Sequence, residues 1–230
     1  MKKFRIESGV FDIFPKLHIG VLTFQGIDNE GSGREDVLKN AYNIFCERIK
    51  DTGAAHPNIM DYKDAMKMIK RKKGCSASIE AMAKRAEKGG DMYSINPIVD
   101  LYNSVSLKSV ITFGGEDLDK ISGDMVLGFA KGDEEFIPLG ENENSPPREG
   151  ELIYKDDMGA VVRSWLWREA DRTKLTNETT NALIYMELVN ENRVEEFYIA
   201  LNEAYQLVLD ELGGKGSTAV LTKDSPECFI

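Results

Sequence analysis

Apolar residues recur about one helical turn apart in three stretches of the first 90 residues. This spacing predicts amphipathic helices over Asp36–Lys50, Asp61–Lys72 and Ser76–Lys88, of which the last opens with a capping serine and is followed by two glycines. Upstream, residues 10–27 are largely apolar and are broken by Pro15. They predict two short strands, or a leading segment followed by one buried strand.

A fourth helix is predicted for residues 95–108, "INPIVDLYNSVSLK". Asn96 occupies the N-cap position and Pro97 the first helical position, which is the order preferred at a helix start. The predicted buried face carries Ile98, Leu101, Val105 and Leu107. A fifth predicted helix, residues 192–212, repeats apolar residues three or four apart and ends at two glycines.

Between these last two helices the pattern changes to short runs of β-branched and aromatic residues, which predict strands. The runs cover residues 124–130, 134–140, 151–156, 160–167 and 181–189. The tail after residue 214 is predicted to be loosely held. Helices, then a mostly antiparallel sheet, then a covering helix together predict an α+β domain with helices flanking the sheet.

The length and composition fit one elaborated domain. A chain of 230 residues can bury one sizeable core, and no stretch has the composition of a linker, so residues 1–230 are predicted to form a single unit. No apolar run reaches the roughly 18 residues of a membrane span, and the first residues lack the apolar stretch of a signal peptide. The sequence predicts a cytoplasmic protein with no membrane partner.

Cysteine and histidine are too few and too scattered for the chemistry they usually carry. The three cysteines, Cys46, Cys75 and Cys228, have no nearby histidines, which argues against a disulfide framework and a zinc site. Only two histidines are present, which disfavours a Ser-His-Asp triad. No metal or other cofactor is predicted.

The net charge of −10 disfavours indiscriminate nucleic-acid binding, and no DNA partner is predicted. Charge is uneven, however, because between His56 and Asp91 there are nine Lys and Arg residues against five Asp and Glu residues. A patch for RNA phosphate would consist of Lys67, Lys70, Arg71, Lys72 and Lys73. The alternative is an ordinary solvated helix face.

Three polar residues interrupt the apolar helix at residues 95–108. Asn96, Asp100 and Asn103 are four and three residues apart, so they lie on or near one face of the helix. Buried amides and carboxylates without partners cost about 1–3 kcal/mol each, and a helix satisfies its own backbone. The partners are therefore expected to be neighbouring loops, with Asn96 as the cap, or a ligand.

The segment "FGGEDLDKISGD", residues 113–124, pairs two glycines with acidic residues. The glycines permit positive φ angles, and Glu116 or Asp117 is placed to cap a short helix. The segment has no phosphate-binding glycine pattern, and its acids match no EF-hand spacing. It therefore predicts neither a nucleotide loop nor a metal site.

Both tryptophans of the chain lie in the predicted strand at residues 160–167. Alternation along a strand would put Arg163, Trp165 and Trp167 on one face and Ser164, Leu166 and Arg168 on the other. An aromatic wall with one cation suits an aromatic amino acid, a nucleobase or a carboxylate. The alternative is a pair of core residues covered by Arg163.

In order and spacing these segments resemble the B3/B4 domain of the bacterial phenylalanyl-tRNA synthetase β subunit, in a free-standing form. "NPIVDLYNSVSLK" resembles the family's Asn-rich helix, "EGELIYKDDMG" its Asp-bearing hairpin, and "LTNETTNALI" its Thr-rich approach to a central strand. The resemblance covers about residues 91–190. Residues 1–90 and 191–230 are then elaborations packed on that core.

The resemblance implies an editing site, in which tyrosine wrongly attached to the phenylalanine tRNA is hydrolysed. Its pocket for an aromatic aminoacyl ester would lie between the Asn-rich helix and the sheet. Two positions depart from the family pattern, because the family's pocket histidine falls on Gly114 and its pocket glutamate on Tyr185. The family's Gly-rich strand end is replaced by "WLWRE".

Two hypotheses follow. The first is a tRNA-related protein that binds the aminoacyl end of a tRNA, with hydrolysis of mischarged aminoacyl-tRNA as its possible enzymatic activity. The alternative is a non-catalytic protein that binds an aromatic amino acid or carboxylate and has lost the tRNA. For both, the candidate ligand-binding residues are Asn96, Asn103, Glu116, Glu151, Arg163, Trp165, Trp167 and Arg168, with no catalytic residue assigned.

Overall fold

Two β-sheets form the centre of the computed structural model, which describes residues 2–230. The strands are β1 (Lys3–Ile6), β2 (His18–Gln25), β3 (Thr112–Asp117), β4 (Met125–Phe129), β5 (Leu152–Asp156), β6 (Gly159–Arg163), β7 (Arg168–Glu169), β8 (Asn181–Leu188), β9 (Lys215–Leu221) and β10 (Glu227–Phe229). The helices are α1 (Ser8–Ile13), α2 (Glu35–Ile49), α3 (Pro57–Met68), α4 (Ser78–Glu87), α5 (Pro97–Ser109) and α6 (Val194–Leu212).

The larger sheet has six strands in the order β10-β1-β4-β5-β6-β7. Only the β1–β4 pairing is parallel, and all others in this sheet are antiparallel. The smaller sheet, in the order β3-β8-β2-β9, is entirely antiparallel. The predicted α+β class with a mostly antiparallel arrangement is confirmed, although the strands form two sheets instead of one.

Strand β8 shows how the two sheets share the core. Its side chains alternate, so Ile184 and Met186 pack with α5 and α6 on one face, while Leu183 and Tyr185 join the core of the larger sheet on the other. Residues 182–188 are all buried. A strand buried on both faces has continuous apolar character, which is why the sequence indicates it clearly.

The helix predictions differ from the structure mainly at the ends. Helix α3 begins at Pro57, earlier than predicted, because the His56 ring accepts from the Asn58 N–H and proline starts the first turn. It ends at Met68, since Ile69 is extended. The basic run at residues 70–73 therefore follows the helix. Helix α4 has Ala77 at its N-cap and no side-chain cap, so the serine cap was wrong.

Two strand predictions were wrong. Residues 134–140 contribute only an isolated bridge, between Pro138 and Ala170, and proline has no N–H to extend a ladder. Strand β6 ends at Arg163, because Ser164 and Trp165 have φ angles of 53° and 59° and begin a turn. The tryptophans therefore lie in a turn over residues 164–167, here called the tryptophan turn.

At the start of the chain, helix α1 precedes the buried strand β2, which matches the prediction of a leading segment followed by one buried strand. The tail is held in the fold, because β9 pairs with β2 in the smaller sheet and β10 pairs with β1 in the larger one. The prediction of a loosely held tail was wrong, because strand pairing with distant residues leaves no signal in a short polar stretch. Within residues 2–230, no helix combines the length and hydropathy that a membrane crossing requires.

Candidate functional site

A cavity of about 450 Å³ lies between α5, β3 and the tryptophan turn. This volume is within the roughly 300–1,000 Å³ of small-molecule pockets. Strand β3 is an edge strand of the smaller sheet, so main-chain polar groups point away from the sheet on that side. The lining residues are Ser78, Ile95, Val99, Tyr102, Asn103, Thr112, Phe113, Gly114, Gly115, Leu139, Val162, Trp165, Leu166, Trp167, Arg168, Glu169, Lys174, Leu175, Thr176, Tyr185 and Glu187.

The cavity has a polar, accessible rim and a buried floor. Arg168 and Ile95 are exposed, and Lys174 and Trp167 are half-buried. The floor is made by fully buried groups, among them Trp165 and the side chains that β3 and β8 turn toward the larger sheet. An apolar body with a polar or charged end would therefore enter with that end at the rim.

Of the three polar residues predicted to share a face of helix α5, one lies at the cavity. Asn103 lines it and makes no side-chain hydrogen bond within residues 2–230. Asn96 is 2% exposed and caps the helix, since its Oδ1 accepts from the Val99 N–H at 3.2 Å and its Nδ2 donates to the Leu175 carbonyl at 3.1 Å. Asp100 accepts from Ser94 and from the Ile95 N–H. Asn96 and Asp100 are thus tied to neighbouring segments, and Asn103 is free for a ligand.

Glu151 and Arg163 are internal supports of the tryptophan turn. Arg163 donates to both carboxylate oxygens of Glu151, at 3.0 and 3.2 Å, and the Ser164 hydroxyl donates to Oε1 at 2.6 Å. Burial alone would raise the pKa of Glu151, but hydrogen bonds from Arg163, Ser164 and the Arg148 N–H hold it below its usual value. The buried ion pair anchors Ser164 and Trp165, whose positive φ angles cost about 1–3 kcal/mol each.

The expectation that Arg163 and the two tryptophans share one strand face was wrong, because the strand ends before Trp165. Trp165 is 1% exposed and packs against Phe14, with ring centroids 4.9 Å apart. Trp167 lies at the rim, where Lys72 Nζ is 4.9 Å and the Arg168 guanidinium 5.8 Å from its ring centroid. Both indoles still line the cavity, at different depths.

Positions 114 and 185, where the resemblance places a histidine and a glutamate, are direct partners in the β3–β8 pairing. A Cβ on Gly114 would lie 2.5 Å from Tyr185 Cζ, so the tyrosine ring occupies the space of a side chain at 114. The Tyr185 hydroxyl donates to Glu116 Oε1 at 3.0 Å. Gly114, Gly115 and Glu116 are extended within β3, which is followed by a turn, so the expected positive φ angles and helix cap at this segment were wrong.

Glu116 is completely buried and does not reach the cavity surface. Its Oε2 has no hydrogen-bond partner within residues 2–230. Burial, and then the charge of Glu169, raise the pKa of Glu116 well above its usual value, with partial relief from Thr173, Tyr185 and Arg172. Burial thus favours the neutral form of this carboxyl.

Two glutamates that line the cavity were missed by the sequence reasoning. Glu187 is 1% exposed, accepts from the Tyr154 and Thr112 hydroxyls at 2.8 and 3.0 Å, and has its pKa raised to about 8 by burial. Burial raises the pKa of Glu169 to about 7. A charged residue inside the apolar run of β8 was a usable signal for Glu187, whereas nothing in the sequence marks Glu169.

The predicted RNA-contacting residues are partly used inside the protein. Lys70 donates to the Glu149 carbonyl, and Arg71 donates to the carbonyls of Met66 and Cys75. Lys67 pairs with Asp64 at 2.7 Å on an exposed surface, and Lys72 stacks on the rim indole. Lys73 makes no side-chain hydrogen bond or ion pair within residues 2–230. Lys72 and Lys73 are thus the members of the predicted patch available to phosphate.

Residues 62–208 match the B3/4 domain. The chain belongs to the B3/4 domain family. This assignment agrees with the resemblance of residues 91–190 and extends it in both directions, through α3 and most of α6.

Among solved structures, the B3/4 chain is similar to an N-terminal fragment of the phenylalanyl-tRNA synthetase β subunit from Pyrococcus horikoshii, with a TM-score of 0.49 and 15% identity. The match covers 93% of this chain and 49% of the fragment, so the chain spans about half the length of that structure. No curated protein sequence matches the chain. Among residues 2–230, no group of three or more His, Cys, Asp or Glu side chains has an arrangement suited to a metal ion.

Proposed function

We propose that this B3/4 chain binds the aminoacyl end of a tRNA, with the amino acid in the cavity between α5 and the tryptophan turn. The observation that carries the proposal is the cavity itself, whose volume of about 450 Å³ accommodates one aromatic amino acid. Aromatic side chains from α5, β3 and the tryptophan turn form much of its wall. Such walls bury an aromatic ring at low conformational cost.

The rim supports the attachment of a nucleotide outside the cavity. Lys72 and Arg168 flank the Trp167 ring, and Lys174 lines the same opening. An indole stacks on a base, and Lys72, which makes no ion pair within residues 2–230, suits phosphate. The terminal adenosine of a tRNA would therefore lie on Trp167, while its aminoacyl group reaches inward past Asn103.

The proposal is tested with tyrosyl-tRNA in which an amide replaces the 3′ ester, so that binding is measured without hydrolysis. We expect the charged tRNA to bind at least tenfold more tightly than the same tRNA uncharged, and Asn103→Ala and Trp167→Ala to remove most of this difference. Equal affinity for charged and uncharged tRNA would refute it. Ester loss from ordinary tyrosyl-tRNA, followed with and without the protein, reports hydrolysis separately.

A second candidate is binding of a free aromatic amino acid or related carboxylate. The specific observation in its favour is that Lys70 and Arg71, at the centre of the predicted RNA patch, are held by internal carbonyls. Salt separates the two candidates, because tRNA binding weakens steeply as salt rises and binding of a zwitterionic amino acid does not. Salt-independent binding of free phenylalanine or tyrosine without tRNA retardation would select the second.

We further propose that residues 1–230 act as one unit. Strand β1 lies between β10 and β4, so the first and last segments of the chain complete the larger sheet. Deleting residues 215–230 should therefore expose sheet edges and lower the unfolding midpoint of the whole chain in one transition. A truncated chain with unchanged stability would contradict this.

A further inference from the structure

Glu169 is a charged residue of the cavity wall whose side chain has no partner in the described part of the chain. It lies on β7, lines the cavity, and makes no side-chain hydrogen bond or ion pair within residues 2–230. The side chain is half-buried at the cavity wall, where a carboxylate without a partner has lost part of its hydration. An unpaired carboxyl in a binding cavity therefore indicates that its partner comes with the ligand.

The other charged side chains that line the cavity are paired or mainly protonated. Arg168 pairs with Glu141 at 2.5 Å, and Lys174 pairs with Asp171 at 2.9 Å. Glu187 is buried, its carboxyl accepts two hydroxyl hydrogen bonds, and its pKa of about 8 leaves it mainly protonated at neutral pH. Among the charged side chains that line the cavity, the Glu169 carboxylate is therefore the one without a partner within residues 2–230, and its charge favours a cation.

We propose that the Glu169 carboxylate binds an ammonium group of the ligand, which for an amino acid or aminoacyl ester is the α-amino group. This inference rests on the proposed function, since it assigns a second contact in the same cavity. Aromatic rings near the opening suit a cation as well, among them Trp167 and the stacked pair Tyr102 and Phe113, whose centroids are 6.4 Å apart. An anionic group at this position would be repelled by Glu169, and a neutral hydroxyl would donate one hydrogen bond without compensating the charge.

The contact gives binding a defined pH dependence. The titratable groups close enough to affect Glu169 are Glu116 on β3, Tyr102 on α5 and Tyr185 on β8, and burial raises the pKa of each of them above its usual value. The two tyrosines are therefore neutral near pH 7. A carboxyl with a pKa of about 7 is ionised to about one tenth at pH 6 and about nine tenths at pH 8. Because the cation binds the ionised form, its affinity should rise about tenfold over this range.

The experiment compares 2-phenylethylamine with 2-phenylethanol by calorimetry on the full chain. The amine, like a lysine side chain with a pKa of about 10.4, stays protonated from pH 6 to pH 8, while the alcohol has the same shape and no charge. At pH 8 we expect the amine to bind at least tenfold more tightly than the alcohol. At pH 7 amine binding should release about half a proton, measured from the binding enthalpies in two buffers of different ionisation enthalpy. Alcohol binding should release no proton.

Glu169→Gln should reduce amine binding to the level of the alcohol and abolish the pH dependence, while alcohol binding is unchanged. Glu143→Gln, the same charge change on an exposed loop residue, is the matched control and should behave as wild type. If Glu169→Gln does not fold, the comparison of the two compounds and the proton release on the wild-type chain decide alone.

The outcomes separate the inference from the proposed function. Equal binding of amine and alcohol, or an amine preference that survives in Glu169→Gln, would overturn the role of Glu169 while leaving the cavity as a ligand site. Failure of both compounds to bind the wild-type chain would overturn the ammonium contact, whereas the comparison of charged with uncharged tRNA decides the proposed function independently.

Discussion

Replacing the buried Glu187 by glutamine should make the protein's stability less sensitive to pH. The carboxyl accepts from Tyr154 and Thr112, and burial raises its pKa from 4.5 to about 8 in the folded chain. The unfolded chain therefore releases this proton at lower pH than the folded chain. Ionisation in the unfolded state then favours unfolding progressively as pH rises from about 4.5 to about 8.

The size of the effect follows from the two pKa values. Proton linkage over pH 5 to pH 8 gives a loss of about 3.5 kcal/mol in the free energy of unfolding from this one group, at 1.36 kcal/mol per pKa unit. Glutamine keeps the shape, accepts from Tyr154 through its oxygen and cannot ionise. The variant should thus lose about 3.5 kcal/mol less than wild type over the same range, and should be the more stable protein at pH 8.

Urea unfolding at pH 5, 6.5 and 8 measures this difference directly, provided the slopes with denaturant agree between the two proteins. Glu178→Gln, at an exposed position with no side-chain hydrogen bond or ion pair within residues 2–230, is the control and should follow wild type at each pH. Parallel plots of the free energy of unfolding against pH for wild type and Glu187→Gln would contradict the raised pKa of Glu187. That result would mean that the carboxyl is ionised in the folded protein at pH 6.5.

Three further predictions concern the cavity. Gly114→Ala should lower the free energy of unfolding by about 1–3 kcal/mol, because its Cβ meets the Tyr185 ring. In thermal unfolding of the double variant, Tyr185→Val should remove most of this cost. Additive costs of the two substitutions would contradict the clash. Asn103→Ala should weaken ligand binding without changing stability. Asn96→Ala should lower the free energy of unfolding by about 1–2 kcal/mol, because the helix cap is lost. Similar unfolding midpoints for the two variants would contradict this assignment. If tRNA binds, Lys72→Ala should reduce the slope of log affinity against log salt by about 1 in filter binding, and an unchanged slope would exclude it from the phosphate contacts.

The helices and strands marked by local sequence patterns could be predicted from the amino-acid sequence alone. Asn96 and Pro97 start α5 as predicted, because a cap and a first-turn proline act within one helical turn. The buried face of α5 and the continuous apolar run of β8 follow from periodicity and need no knowledge of the partner segments. These elements, in their order, were enough for the α+β class and the family.

Which polar groups face the cavity depends on how the folded chain packs and could not be predicted from the sequence. Asn103, Trp165, Trp167 and Arg168 line it, but Asn96, Glu116, Glu151 and Arg163 are used inside the protein. Sequence spacing gives the face of a helix or strand but not what packs there, and the backbone turn at Ser164 changed the face of every residue after it. Glu169 gains its unpaired carboxyl only because segments distant in sequence enclose it, since burial and charge pairing are properties of the packed chain.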